Sequence, residues 1–313
     1  PVEIWANLDH SSHLAQLQTH NPTGIGLFRS ESLYLAEKEF PSEEIQYHAY
    51  KKILQCIPGK PTIIRAFDLG GDKPHISKMI SQENNPSLGC RAIRFLLEQP
   101  TLFREQLRAL LRASCYGDLH ILLPMVSDIA EVRLAKAILA EERASLEQQG
   151  IKIAANIKLG CMIEVPSAAL GAEEFAKETD FLSIGSNDLI QYTLAADRNN
   201  NRIKKLYALH PSVLKLIQIV VDACSRHNKR LIFCGEIGGD EHYIPALLGL
   251  GIRAFSVSTM HVVRVKEIIR EIFLKDAHLI AEAALDLDSI GALRHFVENF
   301  RVDAENISSP LCD

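Results

Sequence analysis

No apolar run in this chain approaches the ~20 residues that a membrane-spanning helix requires. The opening stretch Pro1-Val2-Glu3-Ile4-Trp5 lacks the basic end and apolar centre of a signal peptide. Positive charge is not in excess. The 34 Lys and Arg against 39 Asp and Glu leave a net charge of −5, which argues against a general nucleic-acid binder, whose domains are usually basic. Aromatic residues make up only 6% of the chain, with a single Trp. The seven cysteines (Cys56, Cys90, Cys115, Cys161, Cys224, Cys234 and Cys312) are odd in number, scattered, and include no C-x-x-C pair. Neither a structural zinc site nor a disulfide framework is expected from them, and reduced thiols in a cytoplasm fit better. Internal repeats and low-complexity stretches are also missing. What remains is 313 residues of which 47% are apolar, which rules out disorder. That length suits two domains of roughly 150 residues or one α/β barrel of ~250 residues or more.

Short apolar runs alternate with longer amphipathic stretches from end to end. Strands are expected at Val2–Ala6, Gly24–Phe28, Thr62–Phe67, Leu119–Leu123, Leu159–Ile163, Phe181–Ile184, Arg230–Phe233 and Ala254–Val257. Helices are expected at Ser42–Cys56, Thr101–Ser114, Ile129–Gln149, Ser167–Glu178, Pro211–His227 and Tyr243–Leu248. The Pro211 helix carries the clearest stripe, with Val213, Leu216, Ile217, Val220, Val221 and Cys224 on one face. Pro211 suits its first turn and Asn228 a left-handed stop beyond its end. Asp128-x-x-Glu131 reads as a capping box for the Ile129 helix. Eight strands with helical crossovers suggest an α/β fold, a single-domain (β/α)8 barrel, with a doubly wound open sheet as the competing arrangement. Because Val2–Ala6 already reads as a strand, a segment upstream of Pro1 is expected. The stretch Asp68–Gly89, rich in Gly, Asn, Pro and Ser, reads as one long loop after the third strand.

The strand ends carry the chemistry. The second strand runs into Phe28-Arg29-Ser30-Glu31, and the third into Arg65-Ala66-Phe67-Asp68. The fifth ends at Met162-Ile163-Glu164, the sixth at Gly185-Ser186-Asn187-Asp188, and the seventh at Phe233-Cys234-Gly235-Glu236. In a parallel barrel these ends share one rim, where active sites are built. Arg29, Arg65, Arg91 and Arg198 are permanent cations suited to phosphate or carboxylate oxygens. Glu164 and Asp188 are hard oxygen ligands, and magnesium is typically held by one or two carboxylates plus substrate phosphates. The set suits Mg²⁺ carrying a small phosphorylated acid, although both acids could instead salt-bridge to the same arginines. Cys234 is the candidate proton-transfer group, with an inert core thiol as its plain alternative. Nearby cations favour its thiolate, whereas a proton donor must keep its proton.

The segments GIGLFRSE (24–31), RAFDLGGDK (65–73), NPSLGCRAIR (85–94), MIEVP (162–166), SIGSNDLIQYTLAADRNN (183–200), HPSV (210–213) and FCGEIGGD (233–240) occur in this order. Over nearly the whole chain the set resembles the C-terminal phosphoenolpyruvate-binding domain of Enzyme I of the bacterial sugar phosphotransferase system. The resemblance implies a (β/α)8 barrel, spanning 1–313, that binds phosphoenolpyruvate and also serves dimerisation. Arg29, Arg65, Arg91 and Arg198 would hold phosphate and carboxylate oxygens, and Asn187 with the adjacent backbone would bind the phosphate. Glu164 and Asp188 would ligate Mg²⁺. Cys234 would protonate the methylene carbon as pyruvate forms. The implied partners are phosphoenolpyruvate and pyruvate, a phosphohistidine domain, through it the phosphocarrier protein, and a second copy of the chain.

Some positions depart from that pattern. Gly238-Gly239 is closer to the form in pyruvate phosphate dikinases, Ser186 stands where Thr is usual, and Asn199 replaces a familiar Gly. The family's phosphoacceptor and carrier-binding modules are expected to be absent from this chain, because none of its histidines has a Thr-Ser-His context. His10, His13 and His20 follow the first strand, His120 lies within a strand and His210 precedes the Pro211 helix; all read as surface, core or capping residues. A synthase or dikinase barrel, a non-catalytic phosphoenolpyruvate sensor and a metal-dependent carbon–carbon lyase are the competing readings.

Overall fold

The computed structural model describes residues 1–8, 17, 19–37, 40–70, 83–203 and 209–307. His10, His13, Cys312 and positions 71–82 of the expected long loop lie outside the described residues. Eight strands form a closed barrel in sequence order: β1 (Glu3–Leu8), β2 (Ile25–Arg29), β3 (Pro61–Arg65), β4 (Asp118–Leu123), β5 (Lys158–Ile163), β6 (Phe181–Gly185), β7 (Arg230–Cys234) and β8 (Ala254–Ser258). Every neighbouring pair is parallel, and β8 closes onto β1 through the pairs from Glu3–Ala254 to Asn7–Ser258. Closure excludes the doubly wound open sheet. Among the described residues, no helix is long and apolar enough to cross a membrane.

The strands read as continuous apolar runs because each is covered on both faces. Outside, they pack against the surrounding helices through one large cluster that includes Phe67, Phe103, Ile121, Val213 and Phe255. Inside, Trp5, Leu27, Ile63, Leu122, Met162, Phe181, Ile232, Cys234 and Ala254 fill the barrel. Burying such a side chain stabilises the fold by about 1.5–3 kcal/mol. Large and small residues alternate across this interior. A Cβ on Gly24 would lie 2.8 Å from the Trp5 ring, and one on Gly160 would lie 2.6 Å from the Phe181 ring.

Local signals hold at several helix ends. Ser42 caps the Glu43–Gln55 helix, accepting the Ile45 N–H, and Asp128 and Glu131 form a complete capping box on Ile129–Gln148. The Pro211–Arg226 helix begins with His210 accepting the Ser212 N–H, and Asn228 beyond its end has φ of 51°. The expected Ser167–Glu178 helix is instead two, Pro166–Leu170 and Ala172–Glu178, divided at Gly171. Gly171 N–H turns back to Ser167 O at 2.9 Å, which closes the first helix early. Helices at Glu31–Glu37, Ile93–Glu98, Val262–Glu271, Leu274–Asp286 and Ile290–Ile307 were not expected.

Candidate active site at the C-terminal rim

Parallel closure brings the polar strand ends to one rim. Arg29 ends β2, Arg65 ends β3 and Cys234 ends β7; Glu164 follows β5, while Asn187 and Asp188 open the Ser186–Leu194 helix after β6. All six line one cavity of about 270 Å³, together with Arg198, Glu31, Asp68, Leu27 and Met162. Arg91 is not part of this lining. Its guanidinium is buried behind the cavity, with Nε on Asp68 Oδ1 at 2.8 Å and Nη2 on Asp68 Oδ2 at 2.9 Å. Arg91 also reaches Asp188 Oδ1 at 3.1 Å and Tyr192 Oη at 3.0 Å. It therefore ties β3 to the helix that follows β6.

Arg65 is held from the opposite side. Its Nη2 lies 3.0 Å from Glu31 Oε1 and 3.3 Å from Asp68 Oδ2. Burial opposes its charge, but Glu31, Asp68 and Glu164 outweigh this and hold the guanidinium above its usual range. Its Nε is buried without a hydrogen-bond partner among the described residues, leaving a donor for a ligand oxygen. The backbone beneath is fixed by a buried polar chain. Ser30 Oγ donates to Arg65 O at 2.7 Å, Gln106 Nε2 donates to Ser30 Oγ and Tyr50 Oη, and Gln106 Oε1 accepts the Phe67 N–H at 3.0 Å. Because each member is paired, the network rigidifies the end of β3 instead of weakening it.

The two acids differ. Asp188 is ion-paired with Arg91 and lies 3.7 Å from Arg198. Glu164 is 1% exposed and accepts the Met125 N–H at 2.7 Å, and no arginine within salt-bridge distance faces it among the described residues. Burial, then the neighbouring Asp188 charge, pushes its carboxyl up to about 8. A Cβ at Gly185 would come 2.6 Å from Glu164 Oε2, so glycine there leaves space for the carboxylate. A buried carboxyl whose neighbour is a second carboxylate fits a divalent cation, since such an ion favours both charged forms at once. The donor set of two carboxylates plus substrate oxygens suits Mg²⁺. No group of three or more His, Cys, Asp or Glu among the described residues forms a complete protein cage.

Cys234 is 4% exposed, and burial pushes its thiol up to about 11 against the pull of Arg29 and Arg65. Burial thus wins over the cations, and the thiol keeps its proton at neutral pH. Asn187 Nδ2 donates to Glu236 Oε1 at 3.4 Å in the first turn of its nine-residue helix. Helix starts present N–H groups and positive potential to anions. Ser186 Oγ there is buried without a partner among the described residues, and a Cβ at Gly235 would come 1.9 Å from it. The described histidines stand apart from this chemistry. His120 is buried in β4 beside Asp118, His20 contacts Thr259 O and His210 is a helix cap.

Sequence reasoning assigned no role to Glu31, Asp68, Asn7 or Ser256. Glu31 and Asp68 had a visible signal, as acids within FRSE and AFD beside arginines that need counter-charge. Asn7 and Ser256 had none.

Fold and rim together define a (β/α)8 barrel with a cavity lined by arginines and carboxylates. Residues 1–274 match the family described as PEP-utilising enzyme, PEP-binding domain, and the chain belongs to that family. It is 44% identical over 299 residues to a phosphoenolpyruvate-protein phosphotransferase of Priestia megaterium, covering 95% of this chain and 52% of that protein. It is 43% identical over 304 residues to the phosphoenolpyruvate-protein phosphotransferase of Staphylococcus carnosus, covering 97% of this chain and 53% of that protein. The chain spans about half the length of the curated relatives it matches. Among solved structures it is similar to a citrate lyase from Burkholderia xenovorans, with TM-score 0.51 and 13% identity over 98% of this chain and 92% of that one. It is also similar to the CitE protein of Mycobacterium tuberculosis in complex with magnesium and acetate, with TM-score 0.52 and 12% identity over 88% of this chain and 95% of that one. At these identities the likeness concerns the fold alone.

Proposed function

We propose that this chain is the phosphoenolpyruvate-binding barrel of a phosphoenolpyruvate–protein phosphotransferase, acting with Mg²⁺ to pass a phosphoryl group to a histidine on a separate domain and release pyruvate. The observation that carries this reading is one cavity walled by Arg29, Arg65 and Arg198, the four buried acids Glu31, Asp68, Glu164 and Asp188, and the buried Cys234 thiol. Arg29, Arg65 and Arg198 grip phosphate and carboxylate oxygens as charge-assisted donors. Asn187 and the first turn of its helix orient the phosphoryl group. Glu164 and Asp188 would hold Mg²⁺, which when bound supplies Lewis-acid stabilisation of charge on the substrate. Arg91 keeps Asp68 and Asp188 in place without touching substrate. As the phosphoryl group leaves, Cys234 gives its proton to C3 of the developing enolate, and Leu27 and Met162 keep the floor of the site apolar.

In this reading the acceptor histidine belongs to the remainder of a protein about twice this length, and through it the phosphate reaches a phosphocarrier protein in the cytoplasm. The resemblance further supports a homodimer; a sedimentation experiment at high micromolar concentration with ligand and Mg²⁺ should show the dimer, and monomer alone would contradict it. The test of function is pyruvate formation when a phosphohistidine-bearing domain is added. Wild-type barrel should release pyruvate only with that domain present, and Cys234→Ala should bind phosphoenolpyruvate about as before while releasing pyruvate about 100-fold or more slowly. Wild-type turnover in Cys234→Ala would remove the thiol from the reaction.

A further inference from the structure

Three strands meet behind the Cys234 thiol. Cys234 on β7 pairs with Ser256 on β8, and β8 lies against β1, where Asn7 pairs with Ser258. Asn7 Nδ2 donates to the Ser256 backbone carbonyl at 3.2 Å. A carbonyl only accepts, so this bond fixes which way the amide faces. The Asn7 Oδ1 is thereby turned to two donors, the Ser256 hydroxyl at 2.5 Å and the Cys234 thiol at 3.5 Å. An amide oxygen has no hydrogen to give, so the thiol is the donor in that contact and its S–H bond has a set direction. Ser256 is fully buried, and space for its hydroxyl exists because β2 carries Gly26, where a Cβ would come 2.1 Å from Ser256 Oγ.

We infer that Asn7, locked by Ser256, is a positioning residue: its contact fixes the Cys234 Sγ on one side of the substrate and keeps the proton on sulfur until the S–H turns from Asn7 Oδ1 to a single face of C3. The inference rests on the proposed role of Cys234 as proton donor. In that reaction the phosphoryl P–O bond breaks toward the acceptor nitrogen and leaves the enolate of pyruvate. The S–H bond then breaks, its proton forms the new C–H bond at C3, and the thiolate regains a proton from water. Asn7 takes no part in bond making; it determines where the sulfur sits when the enolate appears, and the S–H leaves Asn7 Oδ1 as the carbanion character develops at C3. Without it the Cys234 side chain turns about its Cα–Cβ bond, Sγ leaves its place over one face, and water from the cavity protonates either face.

Loss of this orientation should slow the protonation step by about 10- to 100-fold, the scale of a small misplacement in an active site. The test uses phosphoenolpyruvate carrying deuterium at one C3 position, turned over in tritiated water with an added phosphohistidine domain. The wild-type barrel should give a methyl group of one configuration. Asn7→Leu should keep phosphoenolpyruvate affinity by calorimetry with Mg²⁺, lower pyruvate release and give a mixture of configurations; Ser256→Ala should show the same pattern more weakly. A purely structural role for Asn7 moves stability without mixing the configurations. If Asn7→Leu no longer binds phosphoenolpyruvate, Ser256→Ala is judged by the same two criteria. Wild-type rate with a single configuration in the variant overturns the inference while Cys234→Ala remains slow. If Cys234→Ala also keeps wild-type rate and configuration, the reading of Cys234 as donor has failed, and the inference falls with it.

Discussion

Asp68 grips Arg91 at two points, at 2.8 and 2.9 Å, and lies 3.3 Å from Arg65 through the same carboxylate. One acid, 2% exposed, thus fixes Arg65 of the cavity wall and Arg91 buried behind it. Removing one partner of such a buried group leaves uncompensated charge, at a cost of about 3–5 kcal/mol. Asp68→Asn keeps the shape and loses the charge. It should weaken phosphoenolpyruvate binding by at least about tenfold, with loss of part of that buried ion-pair energy, although Asp68 holds no substrate itself in this reading. Calorimetry beside thermal melting checks this; an unchanged affinity would mean that Arg65 and Arg91 hold their positions without it.

The Cys234 thiol, held up to about 11 by burial, gives a pH signature. Methyl methanethiolsulfonate should react slowly with Cys234 at neutral pH, and faster by about tenfold per pH unit as the thiolate fraction grows toward pH 11. Stability follows the same shift. The folded protein keeps this proton between the ordinary thiol range near 9 and about 11, while the unfolded chain loses it, so this contribution favours the fold below that window and is lost as pH rises through it. Peptide mapping of the modified protein across pH reads the first effect, and a Cys234 whose modification rate is already at its plateau at neutral pH would contradict it.

Much of the fold was legible because the strands are covered on both faces and read as apolar runs, and because rim residues sit directly at strand ends. The direction of Arg91 was not legible in the sequence, for a physical reason. Sequence shows that an arginine follows the loop, but whether its guanidinium turns to a ligand or to Asp68 depends on the approach of β3 and the Ser186–Leu194 helix. Asn7 and Cys234, separated by 227 positions, meet only because the barrel closes. The break at Gly171 lies within an apolar stretch that continues on both sides of it, so the pattern hides two helices as one.

Gln106 joins the helix layer to the end of β3 through Phe67, Ser30 and Tyr50. Gln106→Leu keeps nearly the same volume but strips partners from three buried polar groups. It should destabilise the protein by about 1–3 kcal/mol for each group left unsatisfied and loosen Arg65 through the Ser30 contact. Urea unfolding measures the loss, and a change within about 0.5 kcal/mol, the range of an ordinary surface substitution, would show that water replaces the amide.

The most direct measurement is a calorimetric titration of phosphoenolpyruvate into the barrel, with Mg²⁺ and then with a chelator. The account expects one molecule bound per chain, tighter with Mg²⁺, with binding lost in Arg65→Ala and retained in Arg143→Ala, whose side chain lies on the outer helix layer near Glu147. Equal affinity in the two variants, or no binding by the wild-type barrel with Mg²⁺ present, would contradict it.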